Sequence, residues 1–343
     1  MNFRAFLNTI STRAYSLPIV ILYVTEGCNL QCITCSYRQA LPNELTLQEI
    51  EELAQSLVGY GLKHIVYSGG EPLLRRDFPQ ICRIFSDLGV KQSMLTNGLL
   101  LEKRLPEIQD FFSEVIVSID GPIEETHNAI RGIQSFNQIV KGLTRATQTS
   151  GFAPVSIRTV IQKRNFRQIM GMVEFAKSMN VRRISFLTAD VLSKSFGRDR
   201  SGAMVPDESI MLDEGEVSEF RQIIEKMIAH YHGEIENRFV SESEAKLRRL
   251  VQYFEALLGE ADFPMNTCNA PMVSAVITST GEIQPCYFLP SYGNIRSNQI
   301  QTLANSAHIR GVRSDVRDYK LERCQTCVCT LYMRSGSALL DKS

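Results

Sequence analysis

Nine cysteines in a chain of 343 residues are where this sequence holds most of its chemistry. They stand at 28, 32, 35, 82, 268, 286, 324, 327 and 329, three near the N-terminus and five in the last quarter. Thiolates are ligands for soft metals, and two groups so far apart point to two separate centres. Cys28, Cys32 and Cys35 follow x3 and then x2 spacing. Zinc closes a tetrahedron on four ligands, whereas three thiolates can hold three irons of a 4Fe–4S cubane and leave the fourth open for a ligand. In the second group Cys324 and Cys327 share one tight turn, and Cys268 and Cys286 flank an expected hairpin turning at Thr280-Gly281. An iron–sulfur cluster or a structural zinc would both accept that pairing. Cys82 lies in an expected helix beside Phe78, Ile81 and Phe85 and reads as a core residue.

Other side chains sit where expected strands end. Gly69, Gly70, Glu71 and Pro72 follow one, Thr96, Asn97 and Gly98 the next, and Ser118, Asp120 and Gly121 a third, with Arg131 further on. Arg158 lies on a fifth strand, and its guanidinium suits bidentate binding of a carboxylate. Asn165 equally suits a helix cap. The five histidines show no ligand spacing beyond His230 and His232, which end a helix.

The elements that must position these groups alternate. β-Branched runs at 19–25, 64–68, 92–96, 115–119, 155–161 and 183–187 are separated by helical patterns at 46–58, 78–88, 106–112, 136–147 and 166–179. Thr46 with Glu49 forms a capping box. Six βα repeats predict an α/β fold, a partial (βα)6 TIM-like barrel whose chemistry sits at the C-terminal ends of the strands. Two amphipathic helices follow, capped by Asp213 with Glu216 and by Ser241 with Glu244, and a small C-terminal α+β unit carries the last cysteines. The expected division is an extension at 1–18, a core at 19–190, a linker with two helices at 191–262, an auxiliary-cluster domain at 263–334 and a tail at 335–343.

The 37 Lys and Arg balance the 37 Asp and Glu, which argues against nucleic acid and anionic membranes as partners. The longest apolar run is far shorter than the roughly 20 residues of a membrane span, and no secretion signal is visible. A cytoplasmic location, where thiols stay reduced, is the expectation.

On Cys28, Cys32 and Cys35 the chain resembles the radical S-adenosylmethionine (SAM) enzymes, whose motif is C-x3-C-x2-C, over at least residues 19–190. Thr34 stands where that family usually has an aromatic residue. The resemblance implies a 4Fe–4S cluster whose open iron chelates SAM, and reductive cleavage to methionine and a 5′-deoxyadenosyl radical that abstracts hydrogen from substrate. It also implies that Gly69, Gly70 and Glu71 meet the SAM ammonium, and that Asn97, Ser118, Asp120, Arg131 and Arg158 supply ribose and carboxylate contacts. The C-terminal cysteines resemble the SPASM and twitch auxiliary modules, the shorter twitch form fitting five cysteines better. Cys268, Cys286, Cys324 and Cys327 are then expected to hold a second 4Fe–4S cluster, with Cys329 a spare thiol or a substitute ligand.

The resemblance further implies an oxidoreductase-type enzyme drawing electrons from flavodoxin or ferredoxin. Its leading substrate expectation is oxidative modification of a peptide or protein. With the first cysteine at residue 28 no leader-recognition domain precedes it, so a separate peptide-recognition protein is expected for that case. Tetrapyrrole side-chain decarboxylation and small-molecule dehydrogenation are the alternatives. A non-catalytic iron–sulfur or zinc protein is the reading from another class. Arg182, Arg183, Arg198 and Arg200 are expected near the end of strand six, where they would suit substrate carboxylates.

Overall fold

Six β-branched runs become the parallel strands of one nine-stranded sheet in the computed structural model, which describes residues 3–198, 209–329 and 331–332. These strands are β1 (Ile19–Thr25), β2 (His64–Gly69), β3 (Lys91–Thr96), β4 (Glu114–Ser118), β5 (Val155–Ile161) and β6 (Arg183–Thr188). Each pairs in parallel with the next. Their outer face is covered by α2 (Leu47–Gly59), α3 (Phe78–Asp87), α4 (Leu101–Ile108), α5 (Glu124–Arg131), α6 (Phe136–Gln148) and α7 (Ile169–Ser178), following α1 (Phe3–Ile10). The helices turn stripes such as Ile50, Leu53, Ala54 and Leu57 into the core, where Cys82 is fully buried beside Phe78 and Phe85. Thr46 and Glu49 form the expected reciprocal cap, and Asp213 and Glu216 do the same at α8 (Glu214–His230).

Three local expectations change. The helix expected at 106–112 is α4, and Pro106 lies inside it, because Leu101, Leu105 and Ile108 make the buried stripe that fixes the segment. α5 has no counterpart in the sequence reading, since three of its four buried residues are the polar Thr126, His127 and Asn128. After α9 (His232–Glu236), α10 (Glu244–Leu257) is capped by Ser243, whose hydroxyl accepts from Lys246 N, in place of Ser241.

The C-terminal unit is continuous with the barrel sheet. β7 (Ser274–Ile277) pairs in parallel with β1, and β8 (Glu282–Gln284) and β9 (Gly293–Asn294) extend the sheet antiparallel. The β7–β8 turn uses Gly281 at φ +86°. Strand order is β6-β5-β4-β3-β2-β1-β7-β8-β9, so the barrel stays open between its two ends. Residues 239–241 lie along β6, with Ile184 N donating to Phe239 O and Ser241 N donating to Ile184 O. Buried Arg313 ties this unit to the N-terminus, donating to the carbonyls of Pro271, Ala304 and Thr12.

Candidate active site

The first cysteine loop leaves the C-terminal end of β1 and is held by backbone on both sides. Cys28 N donates to Arg38 O at 3.1 Å, Gln31 N to Arg131 O at 3.0 Å, and Ile33 N to Ile130 O at 3.1 Å. α5 is therefore its platform. Gly132, at φ +77°, closes that helix so tightly against the loop that a Cβ there would lie 2.2 Å from Gln31 O. Burial raises the Cys28 thiol and pushes Cys35 up to about 11, so neither ionises easily without a counter-charge. Three adjoining cysteines on one loop, two of them with thiols that burial keeps protonated, fit an iron cluster with one iron left open.

Gly69 and Gly70 meet this loop directly. Gly70 N donates to Thr25 O and Glu71 N to Gly27 O, both at 2.8 Å, and a Cβ on Gly70 would stand 2.1 Å from Gly27 O. Here the glycines serve a backbone-to-backbone approach, so the loop's own packing demands them. Glu71 is wholly buried and accepts from Leu73 N, Thr96 Oγ1 and Asn97 N at 3.0, 2.7 and 2.8 Å. Burial pushes its carboxyl up to about 6 against those bonds. Asn97 Nδ2 donates to Asn29 Oδ1 at 2.8 Å and lies 3.8 Å from Cys28 Sγ. Asp120 pairs with Arg131 at 2.8 Å and accepts from Val160 N, and the other end of Arg131 reaches Cys32 Sγ at 3.7 Å. Glu71, Asn97, Asp120 and Arg131 thus all brace the cysteine loop. Ser118 and Arg158 stand side by side across β4 and β5, and Arg158 Nε donates to Ser185 Oγ on β6.

Beneath that loop the barrel encloses a cavity of about 500 Å³. Arg158 lines it, and so do all five C-terminal cysteines, Cys268, Cys286, Cys324, Cys327 and Cys329. Burial raises the thiols of Cys324 and Cys327, and pushes Cys286 up to about 12. Among the described residues no three His, Cys, Asp or Glu side chains converge on the position of one metal ion. Five thiols around one cavity are soft donors of the kind that hold iron–sulfur groups.

Of the four arginines expected near the end of strand six, two lie elsewhere. Arg182 and Arg183 stand at its N-terminal start, because β6 begins at Arg183 and runs to Thr188. Arg183 is spent on Glu114 at 2.5 Å. Arg198 is buried against Asp190 at 2.5 Å, and Arg200 lies outside the described residues.

Several residues escape the sequence reading. Tyr23 stacks on Tyr287 and meets Tyr37 edge-on, at centroid distances of 6.2 and 6.0 Å. This aromatic block packs with Cys28 and Cys35 on one side, while Tyr287 follows Cys286 in the chain. Asp190 holds Arg323, the neighbour of Cys324, at 2.7 Å. The loop after β6 also touches the first site, with Ser36 N donating to Phe196 O at 2.9 Å. A tyrosine next to a cysteine was the one available signal, whereas Asp190, Lys246 and Arg249 enter the site by tertiary contact alone.

A model of the Radical SAM superfamily matches residues 22–176, and a model of an iron–sulfur cluster-binding domain, SPASM, matches residues 268–328. The AdoMet-dependent heme synthase of Methanosarcina barkeri is 27% identical over 328 residues, covering 89% of this chain and 86% of that protein. The Fe-coproporphyrin III synthase of the same organism is 34% identical over 178 residues. That match spans 49% of this chain and only 43% of the synthase. Streptococcus suis SuiB bound to S-adenosylmethionine superposes with a TM-score of 0.62 at 15% identity, over 95% of this chain and 74% of that one. The structure of anSMEcpe with AdoMet and a peptide gives 0.65 at 16%, over 90% and 88%. At such identity these two show the same fold. No helix among the described residues is long and apolar enough to cross a membrane.

Proposed function

Because the chain belongs to the radical SAM superfamily and carries a SPASM iron–sulfur domain, we propose that it oxidises an anionic substrate held in the barrel lumen. The reaction proposed is decarboxylation of tetrapyrrole side chains. Cys28, Cys32 and Cys35 would hold the SAM-binding 4Fe–4S cluster, and Cys268, Cys286, Cys324 and Cys327 an auxiliary one. When bound, the first cluster supplies the electron that splits SAM into methionine and a hydrogen-abstracting 5′-deoxyadenosyl radical, and the second supplies an acceptor for the electron left over. Each propionate side chain would lose CO2, one hydrogen atom and one electron, leaving a vinyl group.

The observation that carries this reading is that every C-terminal cysteine lines the same cavity as Arg158. An electron acceptor beside the substrate suits a net oxidation. The lumen's lining cations favour an anion over an unmodified peptide, and one relative matched over most of both chains is a heme synthase. In this reading Arg158 would orient a carboxylate, beside the Tyr23–Tyr287 block that packs against Cys28 and Cys35.

Anaerobic reconstitution should load about eight irons per chain, the content of two cubanes. Dithionite, SAM and iron coproporphyrin III should then give 5′-deoxyadenosine and a product lighter by the mass of formic acid for each side chain. Side-chain deuterium should appear in the deoxyadenosine. Deoxyadenosine formed without any loss of porphyrin carboxylates would overturn the substrate assignment. Labelled peptide in the same assay would test the peptide expectation.

A further inference from the structure

The far end of the lumen, at the N-terminal starts of the strands, has a charge pattern that the fold does not use. Lys91 opens β3, Glu114 opens β4, Arg182 and Arg183 open β6, and Lys246 and Arg249 come from the first turns of α10; all six line the cavity. Arg183 is neutralised by Glu114, which also accepts from Ser156 Oγ. Glu242 accepts from Phe186 N. His64, the remaining titratable group at this mouth, bonds Ser93 Oγ at 2.9 Å and is neutral at pH 7. Among the described residues, no side-chain hydrogen bond or ion pair of 4.0 Å or less is recorded for Lys91, Arg182, Lys246 or Arg249.

Lys246 is half-buried: desolvation and the charge of Arg249 work against its ammonium, and the nearby Glu242 carboxylate partly offsets them. Lys91 and Arg182 are solvent-exposed and Lys246 and Arg249 half-buried, and all four rim a concavity whose waist is apolar, formed by Ile21, Val66, Leu95, Ile116, Phe186 and Val276. A ligand that matches both zones has a hydrophobic body and carboxylates along one edge. A nucleotide, with its polar base and ribose, does not fit the waist, and a simple inorganic anion would leave it empty.

We propose that Arg182, Lys246 and Arg249 grip two or more carboxylates of a flat hydrophobic polycarboxylic acid, fixing which edge faces the two cysteine groups. The inference rests on the tetrapyrrole reading and deepens it by naming specificity residues at the end of the barrel opposite the SAM loop. They act by orientation: with one edge anchored, the opposite edge is carried toward Arg158 and Tyr287.

The test is equilibrium binding to the reconstituted enzyme without reductant, read by fluorescence of iron-free coproporphyrin III, a tetracarboxylate, and protoporphyrin IX, a dicarboxylate. Wild type should bind the tetracarboxylate more tightly, with affinity falling as salt rises. R182Q, K246Q and R249Q should each weaken coproporphyrin binding about five- to tenfold, the range for losing one partly exposed charge-assisted contact. R182K and R249K should retain most of the affinity, which separates lost charge from lost folding. Variants within twofold of wild type, or a wild type that binds neither porphyrin, would overturn the inference. The two proposals fail separately. Charge-dependent binding without turnover would sink the reaction and keep the grip, whereas turnover undiminished in all three variants would do the reverse.

Discussion

The two cysteine groups are built in opposite ways. The first is a single loop of eight residues pinned by backbone hydrogen bonds to α5 and by the glycine turn after β2, all within the parallel barrel. The second draws its thiols from three separate segments. Among the described residues, the backbone bonds around it are mostly local to one turn, with Cys324 N and Gln325 N donating to Leu321 O, Thr326 N to Glu322 O and Cys327 N to Cys324 O, while Asn269 N to Leu331 O joins two segments. Asn266 Nδ2 also donates to Cys327 O, and Asp190 reaches across to Arg323. The first site is framed by backbone, whereas the second joins its segments through side chains and packing, so a metal held there is expected to add more to local stability.

Removing Cys28, Cys32 and Cys35 together should break the comparison hardest on the chemical side. SAM cleavage should fall by about a thousandfold or more, while amide exchange over residues 22–176 stays near wild type; widespread loss of protection there would mean that the frame is not self-sufficient. Gly70→Ala should be the next largest. Its Cβ would enter the space of Gly27 O, and a shift on the order of 1 Å in the loop should cost about a hundredfold in SAM cleavage with the fold intact. Activity near wild type would show that the loop gives way cheaply.

Cys286→Ala probes the other side. Product formation should drop about tenfold or more while SAM cleavage persists, and residues 263–329 should lose exchange protection, unlike the loop in the first variant. Undiminished product would remove the auxiliary cluster from the reaction. The smallest effect should be on acid stability. Burial holds His64 down to about 4 and His127 to about 3, so both are neutral when folded and protonate first in the unfolded chain. Their stabilisation is complete above about pH 6.5 and is lost as pH falls toward those folded values. In urea titrations His64→Gln should lose on the order of 2 kcal/mol less than wild type between pH 7 and pH 5. Parallel curves would place the acid sensitivity elsewhere.

The barrel and its first site were legible because both are local. Alternating β-branched and amphipathic runs locate all six strands to within a residue or so, and the cysteine loop, the GGEP turn and Asn97 each follow a strand end. What escaped the sequence was physically non-local. α5 is anchored by polar residues whose burial nothing in their spacing announces. Glu71 and Asp120 also accept from protein donors, a bracing role that their positions in one dimension do not announce. Arg182 and Arg183 were assigned to the wrong end because six residues of strand separate the two mouths of the barrel. Lys246 and Arg249 sit on an ordinary amphipathic helix, and only packing turns them toward the lumen.

The pairing of β7 with β1 also has a bearing on biosynthesis. β1 is buried along its whole length, yet its partner on one side leaves the ribosome more than two hundred residues later. Until then that edge presents unpaired N–H and C=O groups on an apolar Val- and Ile-rich strand, the kind of surface that templates aggregation. Closing the β1–β7 ladder is a long-range, slow step, so the nascent barrel stays vulnerable for most of translation. β7 covers that edge, and shortening the chain ahead of residue 274 should raise aggregation, read by light scattering.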